Sequence, residues 1–377
     1  MVSMLLSVFV LQSYAQKPEP VYSIVRQEHS FDWYEQQAMA WKQEIDKGTS
    51  NAMAWVYWYE ANRMARNFCD SVKWESKKGD YFVSNDVIVE MAEKAIPNSF
   101  ELNLLKTSFY RTDNKTSGIY LLKAQEIRPY DNLLFPFLTN YHLFKNDKLN
   151  LELTCKKWFE SNETPQEILT TAYNMLISLD QNAILITYGD NDTYPSLILQ
   201  NALKIRPDVQ VIGIGMIRKD EYIEQVCKEL GIKPLASDND SNKKQKTFFK
   251  HLVENTKRPI YVSIFTVSDV YKDYEKNMYL TGLTLKYSPK PFNNMAVLRN
   301  NVENKFMLDF LKRTFNNNNA QSVVIRMNNT YLFPFQKLYE YYKLSGENDK
   351  AQEIKELAML VAKKSSRADY WLKLFEK

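Results

Sequence analysis

The fold is decided by residues Ile184–Ile217, ILITYGDNDTYPSLILQNALKIRPDVQVIGIGMI. Its first apolar run, Ile184–Thr187, has the length of a buried strand, and a second run follows at Val209–Ile214. Between the two runs, Tyr194–Leu203 carries apolar residues at helical spacing. A strand, a helix and a strand in this order predict a right-handed parallel crossover.

Two further apolar segments follow in the sequence. RPIYVSIF begins at Arg258 and supplies a third strand, and GLTLKYSP begins at Gly282 and supplies a fourth. We therefore predict an α/β domain over residues 181–290, built on a small, mainly parallel sheet of three to four strands.

Helical hairpins are predicted on both sides of this domain, over residues 24–180 and 300–377. In the first region an alanine near the end of one helix is followed by a proline and an aromatic-rich second helix. This pattern occurs at Ala95–Pro97 and at Ala124–Pro129, a spacing of roughly 30 residues that is typical of degenerate tetratricopeptide repeats. The predicted fold class is an α/β layer flanked by tetratricopeptide-like helical hairpins.

Composition limits the classes of partner. The chain has 377 residues, of which 45% are apolar, so it can bury ordinary globular cores. Its 49 basic and 45 acidic side chains give a net charge of +4, so no large positive field is available to attract nucleic acid. The basic run Lys243–Lys246 lies in the polar stretch SDNDSNKKQK, which favours a solvated loop over a phosphate-binding patch.

The first residues have the pattern of a signal peptide. An apolar run at Met4–Leu11 is followed by small residues ending at Ala15, which predicts a signal peptide over residues 1–15 and a mature chain beginning at Gln16. We therefore expect a periplasmic or secreted protein. No later run approaches the ~20 apolar residues of a membrane helix, so no membrane span is predicted in the mature chain.

Cysteine and histidine are rare and scattered. Three of each occur, without a CxxC pair, so neither a disulfide scaffold nor a zinc site is predicted. At most one bridge is possible within the helical N-terminal region, between Cys69 and Cys155.

The segment GDNDTYP, which follows the first strand, is the candidate site. Two aspartates separated by one residue can hold a divalent cation through their carboxylate oxygens, and ligands of α/β sheets gather beyond the carboxyl ends of strands. The ligand or partner loop is therefore Asp190, Asn191, Asp192 and Thr193.

The same residues also suit a turn. Gly189 permits a tight exit from the strand, and Asp192 or Thr193 can cap a helix that begins near Tyr194, with Pro195 in its first turn. Ion binding, partner binding and a purely local turn therefore remain three open interpretations. Asp190, which has no obvious helix to cap, is the residue that we expect to contact a ligand or partner.

The acidic motif, together with RPIYVSIF and MYLTGLTLKYSP, resembles part of a known family over Ala183–Pro289. The resemblance is to the soluble C-terminal region of bacterial multispanning membrane proteins, a family with a domain of unknown function that is related to protein O-mannosyltransferases. Such relatives carry a glutamate where this chain has Thr281. The resemblance implies that glycosyl transfer belongs to a membrane-embedded half, which is not predicted here.

The function expected from the sequence is that of an exported, non-catalytic helical-repeat protein. It would bind a protein or glycan partner through its helical-repeat surface, as an accessory to envelope glycosylation, and need no cofactor. The alternative is a metal-dependent transferase or hydrolase that uses the Asp190 and Asp192 loop.

Overall fold

A computed structural model describes residues 18–23, 26–79, 81–235, 241–313 and 321–376. The predicted signal peptide, residues 1–15, lies outside the described residues. The chain forms two compact units, and the division between Ile127 and Arg128 falls inside the helical region predicted over residues 24–180.

The first unit is helical. Its helices are α1 (Phe31–Asp46), α2 (Met53–Asn67), α3 (Ser71–Lys77), α4 (Asn85–Ala95), α5 (Phe100–Phe109) and α6 (Asn114–Ile127). The α1–α2 hairpin agrees with the helical hairpins predicted in this region. Small side chains let these two helices approach closely, because Ala38, Ala61 and Ala65 are completely buried between the larger aromatic residues.

The second unit contains the sheet and the remaining helices. Its strands are β1 (Ile184–Thr187), β2 (Gln210–Gly213), β3 (Ile260–Ser263), β4 (Met278–Leu280) and β5 (Thr284–Tyr287). Helices α7 (Phe135–Phe144), α8 (Lys148–Glu160) and α9 (Gln166–Ile177) precede the sheet, and α10 (Asp190–Leu203), α11 (Asp220–Leu230) and α12 (Ser241–Asn255) connect its parallel strands. The helices after the sheet are α13 (Asn294–Asn300), α14 (Asp309–Lys312), α15 (Gln321–Asn329), α16 (Leu332–Ser345), α17 (Asn348–Ala362) and α18 (Ala368–Glu376).

The five strands are ordered β2-β1-β3-β5-β4. β1 pairs in parallel with β2 and β3, as predicted, whereas β5 pairs antiparallel with both β3 and β4. The sheet is therefore mixed rather than mainly parallel. β5 lies in the predicted fourth segment, while β4 was not predicted, because its three half-buried residues lack the apolar run of a central strand.

Side chains of β1 face two different cores. Leu185 belongs to a cluster with residues of α8, α9, α10 and the C-terminal helices, whereas Ile184 and Ile186 pack with residues of α11 and α12. Because successive strand residues point to opposite faces, both faces of this strand are covered. That explains why the run is continuously apolar rather than alternating.

The C-terminal hairpin agrees with its prediction. α16 and α17 are joined through the turn SGEND, residues 345–349, in which Gly346 adopts the left-handed conformation (φ 77°) that ends a helix. On α17, Ala351, Ile354 and Leu357 are buried, which is the spacing of one helix face.

One local prediction was wrong. The basic run is the first part of α12 rather than a loop, and Lys244 is buried with its Nζ atom 2.5 Å from Asp220 Oδ1. Burial of the aliphatic part of that side chain beside a carboxylate makes it a structural residue. The three cysteines, Cys69, Cys155 and Cys227, are free thiols, so the one bridge that the sequence allowed is not formed.

Candidate functional site

The acidic loop lies where the sheet changes direction. From β1 the chain crosses through α10 to β2 on one side, whereas from β3 it continues to β4 at the far edge on the other side and returns through β5. Neighbouring parallel strands that are followed by connections in opposite directions leave a crevice beyond their carboxyl ends, where α/β proteins commonly bind ligands. The loop after β1 and the end of β3 therefore define the candidate site.

Asp192 is part of the internal structure of this loop. α10 begins at Asp190, four residues before the predicted start, so Asp192 occupies its third position. Its Oδ1 accepts a hydrogen bond of 2.8 Å from the Gly189 N–H, and its Oδ2 accepts one of 2.9 Å from the Tyr188 N–H. This is the carboxylate half of a capping box. The prediction that Asp192 stabilises the helix start is confirmed, although it does so from inside the helix.

Burial sets the electrostatics of Asp192. The side chain is 2% exposed, and removal from water raises the pKa of its carboxyl group. Hydrogen bonds from Tyr188, Gly189 and the side chain of Ser263, at the end of β3, act in the opposite direction by favouring the ionised form. This carboxylate therefore joins the two strand ends and does not face solvent.

Thr193 is likewise buried. Its hydroxyl lies 2.7 Å from the hydroxyl of Thr187, which also donates to the Ile212 carbonyl at 3.3 Å. These two side chains tie the end of β1 to the first turn of α10 and to β2. Of the four predicted loop residues, Asp192 and Thr193 therefore hold the loop together.

The accessible part of the loop consists of other residues. Asp190 is exposed, Asn191 is half-buried, and the Tyr188 side chain is 44% exposed. Asp190 and Asp192 are therefore not a pair of carboxylates aimed at one cation. Tyr188 was not predicted as a site residue, although an aromatic side chain at the exit of a buried strand is a signal that could have identified it.

A second helix reaches the same turn of α10. Tyr194 is buried one turn after Asp190, and its hydroxyl accepts a hydrogen bond of 2.7 Å from Asn140 Nδ2 on α7. Burial raises the pKa of Tyr194, and the negative charge of Asp190 adds to that effect. Asn140 carries no sequence signal for this role, because it lies 54 positions away in a helical hairpin.

Nucleophiles and bases are not gathered at this edge. Burial raises the pKa of the Cys155 thiol to about 12, and it lowers the pKa of His142 despite the nearby Asp147. His251 Nε2 lies 2.7 Å from the carbonyl of Lys233, and His29 stacks on Trp33. Among the residues that the structure describes, no three His, Cys, Asp or Glu side chains form a group that could hold a metal ion.

Two Arg-Pro pairs, Arg206–Pro207 and Arg258–Pro259, are called the RP motifs. Their arginines lie at the opposite end of the sheet, where the parallel strands begin. Arg206 donates to the carbonyls of Leu176, in the last turn of α9, and of Leu179, just after that helix, and it forms an ion pair of 2.8 Å with Asp208. The hydrogen bond from Arg206 holds the pKa of Asp208 at about 2. Arg258 donates to the carbonyls that precede β1 and β2, those of Ala183 and Asp208. Both arginines therefore satisfy backbone acceptors and fix the strand starts.

The TGL motif is a tight turn between β4 and β5. Gly282 has φ 145°, and a Cβ atom there would lie 2.8 Å from the ring of Phe306. Thr281 is buried and its carbonyl accepts a hydrogen bond of 2.6 Å from Asn301. The Thr281 side chain is thus enclosed within the protein.

Part of the chain around this sheet matches a protein-family model. Residues 168–339 match the family model described as TMEM260-associated domain 2. The matched segment begins in α9, contains the whole sheet and ends in α16. No curated protein matches the chain.

The TMEM260-associated domain 2 match thus includes the acidic loop, both RP motifs and the TGL turn.

Within the described ranges, no helix has both the length and the apolar character needed to cross a membrane.

Proposed function

We propose that this chain is an exported, non-catalytic binding protein that recognises a protein or glycan partner beside the loop after β1. The observation that carries the proposal is the difference in burial among the residues of this loop. Asp192 and Thr193 are buried and hold the backbone, whereas Tyr188 and Asp190 are exposed and Asn191 is half-buried beyond the end of β1.

The exposed set has the chemistry of a recognition surface. An aromatic ring offers a rigid apolar face at low entropic cost, while carboxylate and amide groups next to it supply directional hydrogen bonds. The face of Tyr188 could pack on the apolar face of a sugar ring or on a peptide side chain. Asp190 and Asn191 would then hydrogen-bond hydroxyl or amide groups of the partner.

The buried position of Asp192 lends no support to the alternative, a metal-dependent transferase or hydrolase. Such a mechanism would need both aspartates to direct oxygen atoms at one cation. Here the Asp192 oxygens bind the backbone N–H groups of its own turn, while Asp190 faces solvent. Only Asp190 is left as an accessible carboxylate.

An accessory role in envelope glycosylation is the biological setting that we propose. It is supported by the predicted signal peptide, by the family match over residues 168–339 and by the resemblance of the GDNDTYP segment to relatives of protein O-mannosyltransferases. The flanking helical hairpins provide further surface for a protein partner.

Capture from native envelope extracts tests the proposal. Immobilised protein is compared with Tyr188→Ala and Asp190→Asn variants, and bound proteins and glycopeptides are identified by mass spectrometry. We expect specific partners to be lost from both variants and retained by Asp309→Asn, a control whose carboxylate is 93% exposed elsewhere. Identical partner sets for all four proteins would refute the proposed site.

Thermal unfolding with and without magnesium or calcium tests the alternative. A ligand that binds only the folded state raises the melting temperature in proportion to its affinity and concentration. We expect no metal-dependent shift. A shift that is lost in Asp190→Asn would instead favour the metal-dependent enzyme.

A further inference from the structure

A second accessible surface lies in the C-terminal helices. Phe333, in the first turn of α16, is 50% exposed, and Tyr370, in the first turn of α18, is 57% exposed. The buried Trp371 joins them, since its ring lies 5.1 Å from that of Phe333 and 5.3 Å from that of Tyr370. We call Phe333, Tyr370 and Trp371 the aromatic patch.

Positive charge is concentrated in the segment that contains Tyr370 and Trp371. The segment KKSSRADYWLK, residues 363–373, contains Lys363, Lys364, Arg367 and Lys373 against the single acid Asp369, a net charge of 4 − 1 = +3. The four basic side chains are exposed. Lys363, Arg367 and Lys373 make no ion pair with any part of the chain that the structure describes. An almost balanced chain thus concentrates positive charge beside its exposed aromatic rings.

We propose that the aromatic patch and its basic rim bind the surface of an anionic phospholipid bilayer. Aromatic side chains favour the boundary between head groups and acyl chains, and nearby Lys and Arg side chains are attracted to anionic lipids. The rings of Phe333 and Tyr370 are half exposed, so they can enter the head-group region without unfolding of their helices.

This surface is separate from the loop after β1. Its basic segment lies beyond residue 339, where the family match ends, so the charge is a feature of this chain's own C-terminal helices. Bilayer contact would hold the protein at a membrane surface through one end of its C-terminal hairpin. It does not depend on the partner proposed for Tyr188 and Asp190.

Co-sedimentation with vesicles tests the proposal directly. The full chain is mixed with phosphatidylcholine vesicles or with vesicles that also contain phosphatidylglycerol. We expect binding only to the anionic vesicles and weakening as salt is added, because salt screens the attraction. The Lys363→Gln, Arg367→Gln double variant should bind about tenfold more weakly or worse.

The aromatic contribution is tested with Tyr370→Ser, which should also weaken binding while leaving the Phe333–Trp371 contact intact. Matched controls are Leu344→Ser, at a leucine that is 90% exposed on α16, and Lys148→Gln, at a lysine that is 78% exposed on α8. Both controls should bind like the unmodified protein.

Three results would overturn the inference. The first is equal binding to neutral and anionic vesicles, and the second is equal loss of binding in the variants and the controls. The third is binding to polyglutamate but not to anionic vesicles, which would assign the patch to an acidic protein. Melting temperatures of all variants, measured in parallel, separate these outcomes from loss of folding.

Discussion

Asp192 Oδ1 accepts a hydrogen bond of 2.8 Å from the backbone N–H of Gly189, three residues earlier. This contact turns one of the two aspartates of GDNDTYP inward at the start of α10, and it leaves Asp190 on the outside. The spacing of the two aspartates could indicate a cation site, but their side chains differ in burial. Asp192 is buried and structural, whereas Asp190 is accessible.

Replacement of Asp192 should destabilise the fold even when the new side chain is an amide. Alanine removes both acceptors and leaves two backbone N–H groups without partners, which should cost about 2–3 kcal/mol of unfolding free energy. Asparagine caps helices well in general, but here its NH₂ group would face an N–H donor, because both carboxylate oxygens are used. Urea unfolding of Asp192→Ala, Asp192→Asn and the exposed control Asp190→Asn measures this. Wild-type stability in Asp192→Asn would contradict the two-acceptor arrangement.

The Arg206–Asp208 pair should contribute a defined acid dependence. The pKa of Asp208 falls from 3.8 to about 2 on folding, so its contribution is fully present above pH 3.8 and is lost as the pH falls towards 2. Asp208→Asn should lower stability at neutral pH by about 1 kcal/mol, since a partly exposed pair is screened by solvent. Chemical unfolding at neutral and acidic pH should show the difference from wild type shrinking with acid, and a difference that is the same at both would contradict this role of the pair.

Gly282 should be the glycine least tolerant of substitution in the matched region. Alanine there must adopt φ 145° and place its Cβ atom 2.8 Å from the Phe306 ring, so we expect Gly282→Ala to lose about 2–4 kcal/mol. Gly79→Ala is the control, because no atom lies within 4 Å of its added Cβ atom. Similar melting temperatures for the two variants would show that the β4–β5 turn can relax.

The Tyr194 hydroxyl should couple α7 to α10. Tyr194→Phe leaves the Asn140 amide without its acceptor and should cost about 1–2 kcal/mol. In a double-mutant cycle with Asn140→Ala, the two losses should not add, because both variants remove the same hydrogen bond. Tyr370→Phe, at an exposed tyrosine, provides the control, and strict additivity would argue against the contact.

Thiol labelling should distinguish the three cysteines. Cys155 and Cys227 are buried and Cys69 is partly accessible, so one thiol should react in the native protein and the other two only on unfolding. Mass spectrometry after labelling identifies the residue. Native labelling at Cys155 would indicate that the α8 core opens more readily than its burial implies.

The sequence by itself determined the order of β1, α10 and β2 and their approximate bounds. Two apolar runs, Ile184–Thr187 and Val209–Ile214, predict the strands, and the helical spacing between them predicts the helix. These patterns involve only a few neighbouring residues, so they can be recognised without the fold. The sequence also offered the start of a helix as one of three interpretations of GDNDTYP.

Only the tertiary structure decided which aspartate is accessible, how β4 and β5 join the sheet, and what Asn140 and Arg258 contact. Each of these depends on partners distant in sequence: Asn140 meets Tyr194 across 54 positions, and Arg258 meets Ala183 across 75. Such contacts follow from the packing of whole helices and strands, and no pattern among neighbouring residues in the sequence indicates them. The physical reason is that burial, which encloses Asp192 and leaves Asp190 exposed, is a property of the assembled fold.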